Sequence, residues 1–279
     1  LFALLSLLFV GPLAWVGGAL ARRVPLGASG RATERLRWRA VWFPALPPAL
    51  AFAALAGWAV QEPADAERVH VGYAVLAAPT AFTWARALGR AGVALVRGRR
   101  AAGPAVTVGL FAPRVSIDPR FARTLDCDEL VAVRAHEEAH ARRCDPLRVW
   151  LAQIATDLQW PLPGAAARYV EWRAALELAR DEEARLAGAD GGALASAIVK
   201  ALRMRAWAAS PHAALVFRAE DVTERVRRNL TRRVPPDTDA PRAGVAPHAA
   251  FRVVLLAAAF GAGLLGGESV VTLLAGASA

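Results

Sequence analysis

The chain has 279 residues, 56% of them hydrophobic, with a formal net charge of +10 and a mean hydropathy of +0.31. An ordinary soluble domain is less apolar, and a disordered or nucleic-acid-binding tail is far more polar. The apolar residues gather into a few long blocks with nearly all the charge between them, a pattern that suits a bilayer better than one water-soluble core. Of the 34 basic residues only Lys200 is lysine, which reads as the codon bias of a GC-rich genome. Two cysteines, Cys127 and Cys144, are too few for a disulfide framework.

The first charge-free run, 1–21, is long enough to cross roughly 30 Å of hydrocarbon as a helix. A signal peptide carries its positive charge ahead of such a run; here Arg22 and Arg23 follow it, which favours a retained span. The second run is 40–61, whose Pro44, Pro47 and Pro48 are tolerated in a membrane helix when neighbours satisfy the freed carbonyls. A third, 69–85, stops at Arg86, which is expected to snorkel toward the headgroups. The fourth, 253–267, has Arg252 and Glu268 at its edges. Four spans is the expected count, with three as the alternative.

The connecting segments set the orientation. Arg22, Arg23, Arg31, Arg35, Arg37 and Arg39 face a single acid, Glu34, between the first two runs. Glu62, Asp65 and Glu67 accompany only Arg68 between the next two, and Arg86, Arg90, Arg97, Arg99 and Arg100 follow. The positive-inside bias makes the first loop cytoplasmic and the second external, so residues 97–247 are cytoplasmic and both termini face outward. Much of the positive charge is thereby accounted for without nucleic acid, and no helix-turn-helix or zinc-finger spacing occurs.

Within the cytoplasmic segment lies HEEAH, His136 to His140. Residues four apart on a helix point the same way, so both imidazoles can bind one cation, and Glu137 lies close enough round the helix to reach a metal-bound water. Asp126 and Glu129 resemble a capping box opening this helix, expected from 127 to 144. Asp145-Pro146 reads as an N-cap followed by proline at the first position of the next helix.

A zincin site needs a third protein ligand. Glu171, Glu177, Glu182 and Glu183 lie in the helical stretch 165–187. Glu177 shares its face with Val170, Ala174, Asp181, Ala184 and Gly188, small or apolar apart from Asp181, and such a face packs inward. Glu182, Glu183 and Glu171 point about 120° to 240° away. Glu177 is the expected ligand. Asp181, one turn later, is placed to hold a ligand histidine by its free ring nitrogen, the alternative being a solvated acid near Arg185.

These segments resemble the BlaR/MecR family of bacterial membrane zinc peptidases, the protease parts of beta-lactam sensor-transducers and their relatives. The matching stretches are VGLFAPRVSIDPRF (108–121), ELVAVRAHEEAHARRCDPL (129–147), QWPLP (159–163), ELARDEEARLAGAD (177–190) and the closing DVTERVRRNL (221–230). In the family a cysteine usually precedes the aspartate of the glutamate helix; Arg180 stands there in this chain. The chain ends at Ala279, directly after the last apolar run, so no external penicillin-binding sensor domain is expected.

Other features carry weaker signals. VTVGLFAPRVSI alternates like a strand that could flank a cleft and pair with extended substrate, or serve only as a core strand. His212 and Tyr169 are remote candidates for oxyanion donors, and Cys144 could stray near the metal. Arg142, Arg143 and Arg148 read as contacts to anionic headgroups or as a solvated face. The stretch 147–160, with Trp150 and Trp160, suits a membrane interface.

The resulting expectation is a mainly α membrane protein with about four transmembrane helices and a cytoplasmic, gluzincin-like α+β domain inserted before the last span. Residues 1–96 hold three spans with short loops, 97–247 the zinc metallopeptidase domain, and 248–279 the last span. His136, His140 and Glu177 are the expected Zn2+ ligands, Glu137 the catalytic base, and Asp181 their support. The resemblance implies a multi-pass protein of the bacterial cytoplasmic membrane. Its partners would be the lipid bilayer and a cytoplasmic protein substrate such as a winged-helix repressor, with self-cleavage alongside and no direct nucleic acid. The alternatives are an HtpX/CAAX-type membrane protease in quality control or maturation, and a non-catalytic transducer retaining the zincin scaffold.

Overall fold

The first apolar run folds as helix α1 (Phe2–Leu20), with a π turn over Ser6–Val10. The computed structural model describes residues 2–21, 29–60, 71–98, 103–208, 219–231 and 255–264. The second run belongs to a longer helix, α2 (Gly30–Ala59). Ser29 caps it, its hydroxyl accepting from the Ala32 N–H at 3.0 Å. A 3-10 turn at Phe43–Ala45 accommodates Pro44. Both α1 and α2 are long and apolar enough to cross a membrane.

The third run opens helix α3 (Val71–Gly98). Its Val71, Val75, Leu76, Phe82 and Leu88 are 61% to 75% exposed, a surface suited to something more apolar than water. Arg86 departs from the expected snorkelling. Its guanidinium lies 4.9 Å from the Trp160 ring centre and 3.5 Å from Asp157 Oδ1, because an aromatic face and a carboxylate are within reach.

The alternating segment becomes a hairpin of β1 (Ala105–Val108) and β2 (Arg114–Ile117), antiparallel with Val106 opposite Ser116. A short turn, α4 (Pro119–Ala122), leads to the histidine helix α5 (Cys127–Arg142). The capping box is reciprocal: Asp126 Oδ1 accepts from Glu129 N–H at 2.8 Å, and Glu129 Oε2 from Asp126 N–H at 2.9 Å.

The next helix, α6 (Asp145–Asp157), corrects one expectation. Cys144, left-handed at φ 50°, is the N-cap residue, and Asp145 is already helical. The Asp145 side chain caps nothing; it turns inward, where an imidazole and two guanidinium groups compete for it. Helices α7 (Pro163–Leu186), α8 (Gly191–Ala208) and α9 (Ala219–Thr231) follow. The last described helix, α10 (Leu255–Leu264), lies against α2. A Cβ on Gly57 would fall 2.1 Å from the Phe260 carbonyl oxygen, so glycine alone permits this approach.

Two apolar seams pack α5 on α8 and α6 on α7. Phe121, Val133 and Ala197 join α4, α5 and α8 beneath the hairpin. Trp172 of α7, with no exposed surface, packs with Val41 of α2 and Ala152 of α6. The second seam is the unexpected one: residues 30–39, expected in the basic loop, join the start of the second apolar run in a helical half, 30–42, that docks on α7. Glu182 accepts from the backbone N–H groups of Gly30 and Arg31 at 2.6 and 3.1 Å, placing a carboxylate at the positive end of α2. Arg37 donates to the Glu171 carbonyl at 2.8 Å, and Trp38 lies 4.9 Å from Trp172, centre to centre.

A Cβ on Gly30 would stand 2.9 Å from the backbone of Leu178. Gly30→Ala is therefore expected to destabilise the docked helix by about 1–3 kcal/mol, read as a lower Tm in detergent. An unchanged Tm would contradict this close packing.

Candidate metal centre

The α5 spacing puts His136 and His140 on one face, and α7 brings Glu177 opposite them. His136 Nε2 and His140 Nε2 are 3.1 Å apart. Glu177 Oε2 is 3.6 Å from the first, and its Oε1 is 3.8 Å from the second. One ligand atom from each residue can be chosen so that all three lie within 4.8 Å of one another. Two nitrogens bound to one zinc at a tetrahedral angle stand about 3.3 Å apart, so the spacing suits such an ion.

The opposite ring nitrogens strengthen that fit. His140 Nδ1 is 2.8 Å from Asp145 Oδ2. His136 Nδ1 is 2.9 Å from Asp181 Oδ1, a charge contact without the alignment of a directed hydrogen bond. With each Nδ1–H turned to a carboxylate, both Nε2 atoms present lone pairs toward each other and toward Glu177. Such a cluster repels itself unless a proton or a cation lies within it. The residues fit a divalent metal.

Arg225, from α9, had no assigned role in the sequence beyond its place in the closing family segment. Its Nε and Nη2 each donate to Asp181 at 2.8 Å, and its Nη1 is 3.1 Å from Glu177 Oε2. Asn229 Nδ2 reaches Asp181 at 3.3 Å. Arg185, the partner weighed for Asp181, donates instead to the Arg228 carbonyl at 3.2 Å. Burial would raise the Asp181 pKa, but Arg225 and His136 outweigh it and lower it to about 2. Burial is likewise overcome at Glu177, where Arg225 and the two imidazoles hold the carboxyl well below its ordinary range. At His136 burial works downward, and the carboxylates of Asp181 and Glu177 prevail, raising its pKa to about 9.

Behind His140, Asp145 is 2% exposed and accepts from Arg180 Nε at 2.5 Å, Arg180 Nη2 at 3.1 Å and Arg148 Nη1 at 2.8 Å. Arg180, the departure from the family's usual cysteine, thus supports a histidine partner. Arg148 is turned inward to Asp145 and Glu34, which corrects its reading as a lipid-facing residue. Arg142 lies 4.0 Å from Glu138, and Arg143 3.0 Å from Glu183.

Glu137, 8% exposed, borders a cavity of about 330 Å³ together with His136, His140 and Glu177. From β1, Thr107 Oγ1 lies 2.8 Å from Glu137 Oε2 and 2.9 Å from its carbonyl, a contact with no signal in the sequence. Phe121, Val133, Leu194 and Ile198 form an apolar wall of the same cavity. Of the other acids weighed as ligands, Glu182 caps α2 and Glu183 pairs with Arg180 at 2.8 Å, while Glu171 is outside the ligand group and only its backbone carbonyl accepts from Arg37. Cys144 is outside the ligand group, and Tyr169 packs on the Trp172 seam. His212, Arg22, Arg23, the acids of 61–70, Arg99, Arg100 and Glu268 lie outside the described residues.

The family model described as BlaR1 peptidase M56 matches residues 88–228. No curated protein and no solved structure gives a match.

The raised His136 pKa gives the metal-free protein a defined pH response. The protonated ring stabilises the fold fully below the ordinary value of 6.5, and that contribution is lost as pH rises through about 9. The Tm of chelator-treated protein is expected to fall across that window, with a flatter profile once zinc takes the proton's place. A metal-free Tm that stayed level would contradict the carboxylate environment of His136.

Proposed function

The chain belongs to the BlaR1 peptidase M56 family, and we propose that within it this protein is a multi-pass membrane zinc endopeptidase that cuts a cytoplasmic protein. Family membership makes it a membrane-associated metallopeptidase. The observation that carries the finer reading is the convergence of His136, His140 and Glu177 beside Glu137 on one cavity.

Zinc held by these three residues would supply Lewis-acid polarisation of the scissile carbonyl and a water acidified toward neutrality. The chain's own residues do the rest. Asp181 and Asp145 fix the two imidazoles from behind, so that both Nε2 atoms stay aimed at one point. Glu137 takes a proton from the attacking water onto its carboxylate and delivers it to the leaving amine nitrogen. Thr107 holds Oε2 of that carboxylate toward the cavity. Strand β1 lines the same space, which suits a substrate segment lying extended beside it.

By resemblance the substrate is a transcriptional repressor of the winged-helix type, with self-cleavage alongside, and the protein itself makes no direct contact with nucleic acid. We place four spans in the bilayer: α1, the apolar part of α2, the first half of α3, and the run containing α10. The peptidase segment 97–247 then faces the cytoplasm, with both termini outside the bacterial inner membrane. The docking of residues 30–42 on α7 supports one side for the first loop and the peptidase segment.

Wild type and Glu137→Ala, purified in detergent, are expected to hold stoichiometric zinc. Processing of the chain and of a neighbouring repressor should be at least about 100-fold slower in the variant. Wild type without metal would sink the enzyme reading. Glu177→Ala should lose zinc; an unchanged zinc content would remove Glu177 from the ligand set.

A further inference from the structure

A chain of charge contacts runs from the membrane-proximal half of α2 to the second histidine. Glu34 lies on α2, only 6% exposed, outside the stretch matched by the family model. Its Oε1 accepts from Trp172 Nε1 at 3.1 Å and pairs with Arg148 Nη2. The other arm of that guanidinium, Nη1, donates to Asp145 Oδ1 at 2.8 Å, and its central carbon lies 4.6 Å from the Trp38 ring centre and 5.7 Å from that of Trp172. Asp145 then turns Oδ2 to His140 Nδ1 at 2.8 Å.

We propose that Glu34 is a positioning residue for the metal ligand His140, acting through Arg148 and Asp145, so that the helix entering the second span completes the metal site. The proposal rests on the reading of His140 as a ligand. Its physical basis is that each group in the chain fixes the next. Arg148 lies against two neighbouring tryptophan rings and needs a carboxylate at each arm to settle its plane. Glu34 supplies one of them. Arg180 holds both oxygens of Asp145, Nε at Oδ2 and Nη2 at Oδ1, and the second contact at Oδ1, from Arg148, fixes the carboxylate plane in which Oδ2 also meets His140. Without Glu34, Arg148 keeps Asp145 as its one anionic partner in this contact chain and draws on it differently, and the His140 ring loses part of its fixed orientation.

Carboxylates that orient ligand histidines change metal affinity about 10- to 100-fold when removed. Glu34 acts one step further out, so Glu34→Gln is expected near the lower bound. The full-length chain in detergent is titrated with zinc against a competing chelator. Glu34→Gln should raise the zinc Kd about tenfold, and Arg148→Gln should raise it further. In a linear relay, the double variant should bind zinc no more weakly than Arg148→Gln alone. Gly11→Ala serves as the structural control: its Cβ would stand 2.0 Å from the Thr80 side chain, so it loosens α1 against α3 away from the contact chain, and its Tm falls while its Kd stays within about twofold of wild type.

An unchanged Kd in Glu34→Gln, an additive double variant, or an equal loss of affinity in Gly11→Ala would each overturn the proposal while leaving the peptidase reading intact. Wild type that binds no zinc would overturn both.

Discussion

Two imidazole nitrogens held 3.1 Å apart, with a carboxylate closing the third side, are stable together only with positive charge among them. Much of the peptidase segment follows from holding that arrangement in place. Each histidine is backed by an aspartate, and each aspartate by arginine: His136 by Asp181 and Arg225, His140 by Asp145 with Arg180 and Arg148. Burying these charges costs several kcal/mol per ion before pairing, and leaving one partner out costs about 3–5 kcal/mol. The two-armed arginine contacts offset that cost by satisfying both oxygens of each aspartate. The result is a rigid, directional site, bounded on one side by the apolar wall of Phe121, Val133, Leu194 and Ile198.

The supporting residues come from far apart in the chain. Helix α5 supplies the two histidines and Glu137, α7 supplies Glu177, Asp181 and Arg180, and α6 supplies Asp145 and Arg148. Helix α9 brings Arg225, and β1 brings Thr107 to Glu137. The N-terminal half of α2 is tied to α7 by Glu182 at its first backbone amides and by Trp38 against Trp172. A helix that continues into a candidate membrane span therefore shares its core with the metal site, and displacement of one would be felt by the other.

What the sequence made legible was local. HEEAH lies on one helix, so its 3.6-residue period already places both histidines together. Asp126 and Glu129 announce their cap within four residues, and the wheel of α7 sets Glu177 and Asp181 on a different face from Glu171, Glu182 and Glu183, although Glu182 is buried as well, against the start of α2. Asp145 was misread because aspartate before proline is a strong local cap signal, and only tertiary structure reveals the imidazole and arginines that claim it. Arg148 looked lipid-facing because its acidic partner Glu34 is 114 positions away. Thr107 lies in the alternating segment and Arg225 in the closing stretch 221–230, but neither signal names a partner, since their contacts depend on how β1 and α9 approach α5 and α7. Docking of residues 30–42 was hidden by their arginines, which read as an orientation signal before they could read as a packed helix.

X-ray absorption at the zinc edge of the purified full-length protein tests the central claim most directly. The account predicts a coordination sphere of nitrogen and oxygen at about 2.0–2.1 Å, with the scattering of two imidazoles and no sulfur. A sulfur contribution near 2.3 Å, or the absence of a paired imidazole signature, would contradict a site built by His136, His140 and Glu177.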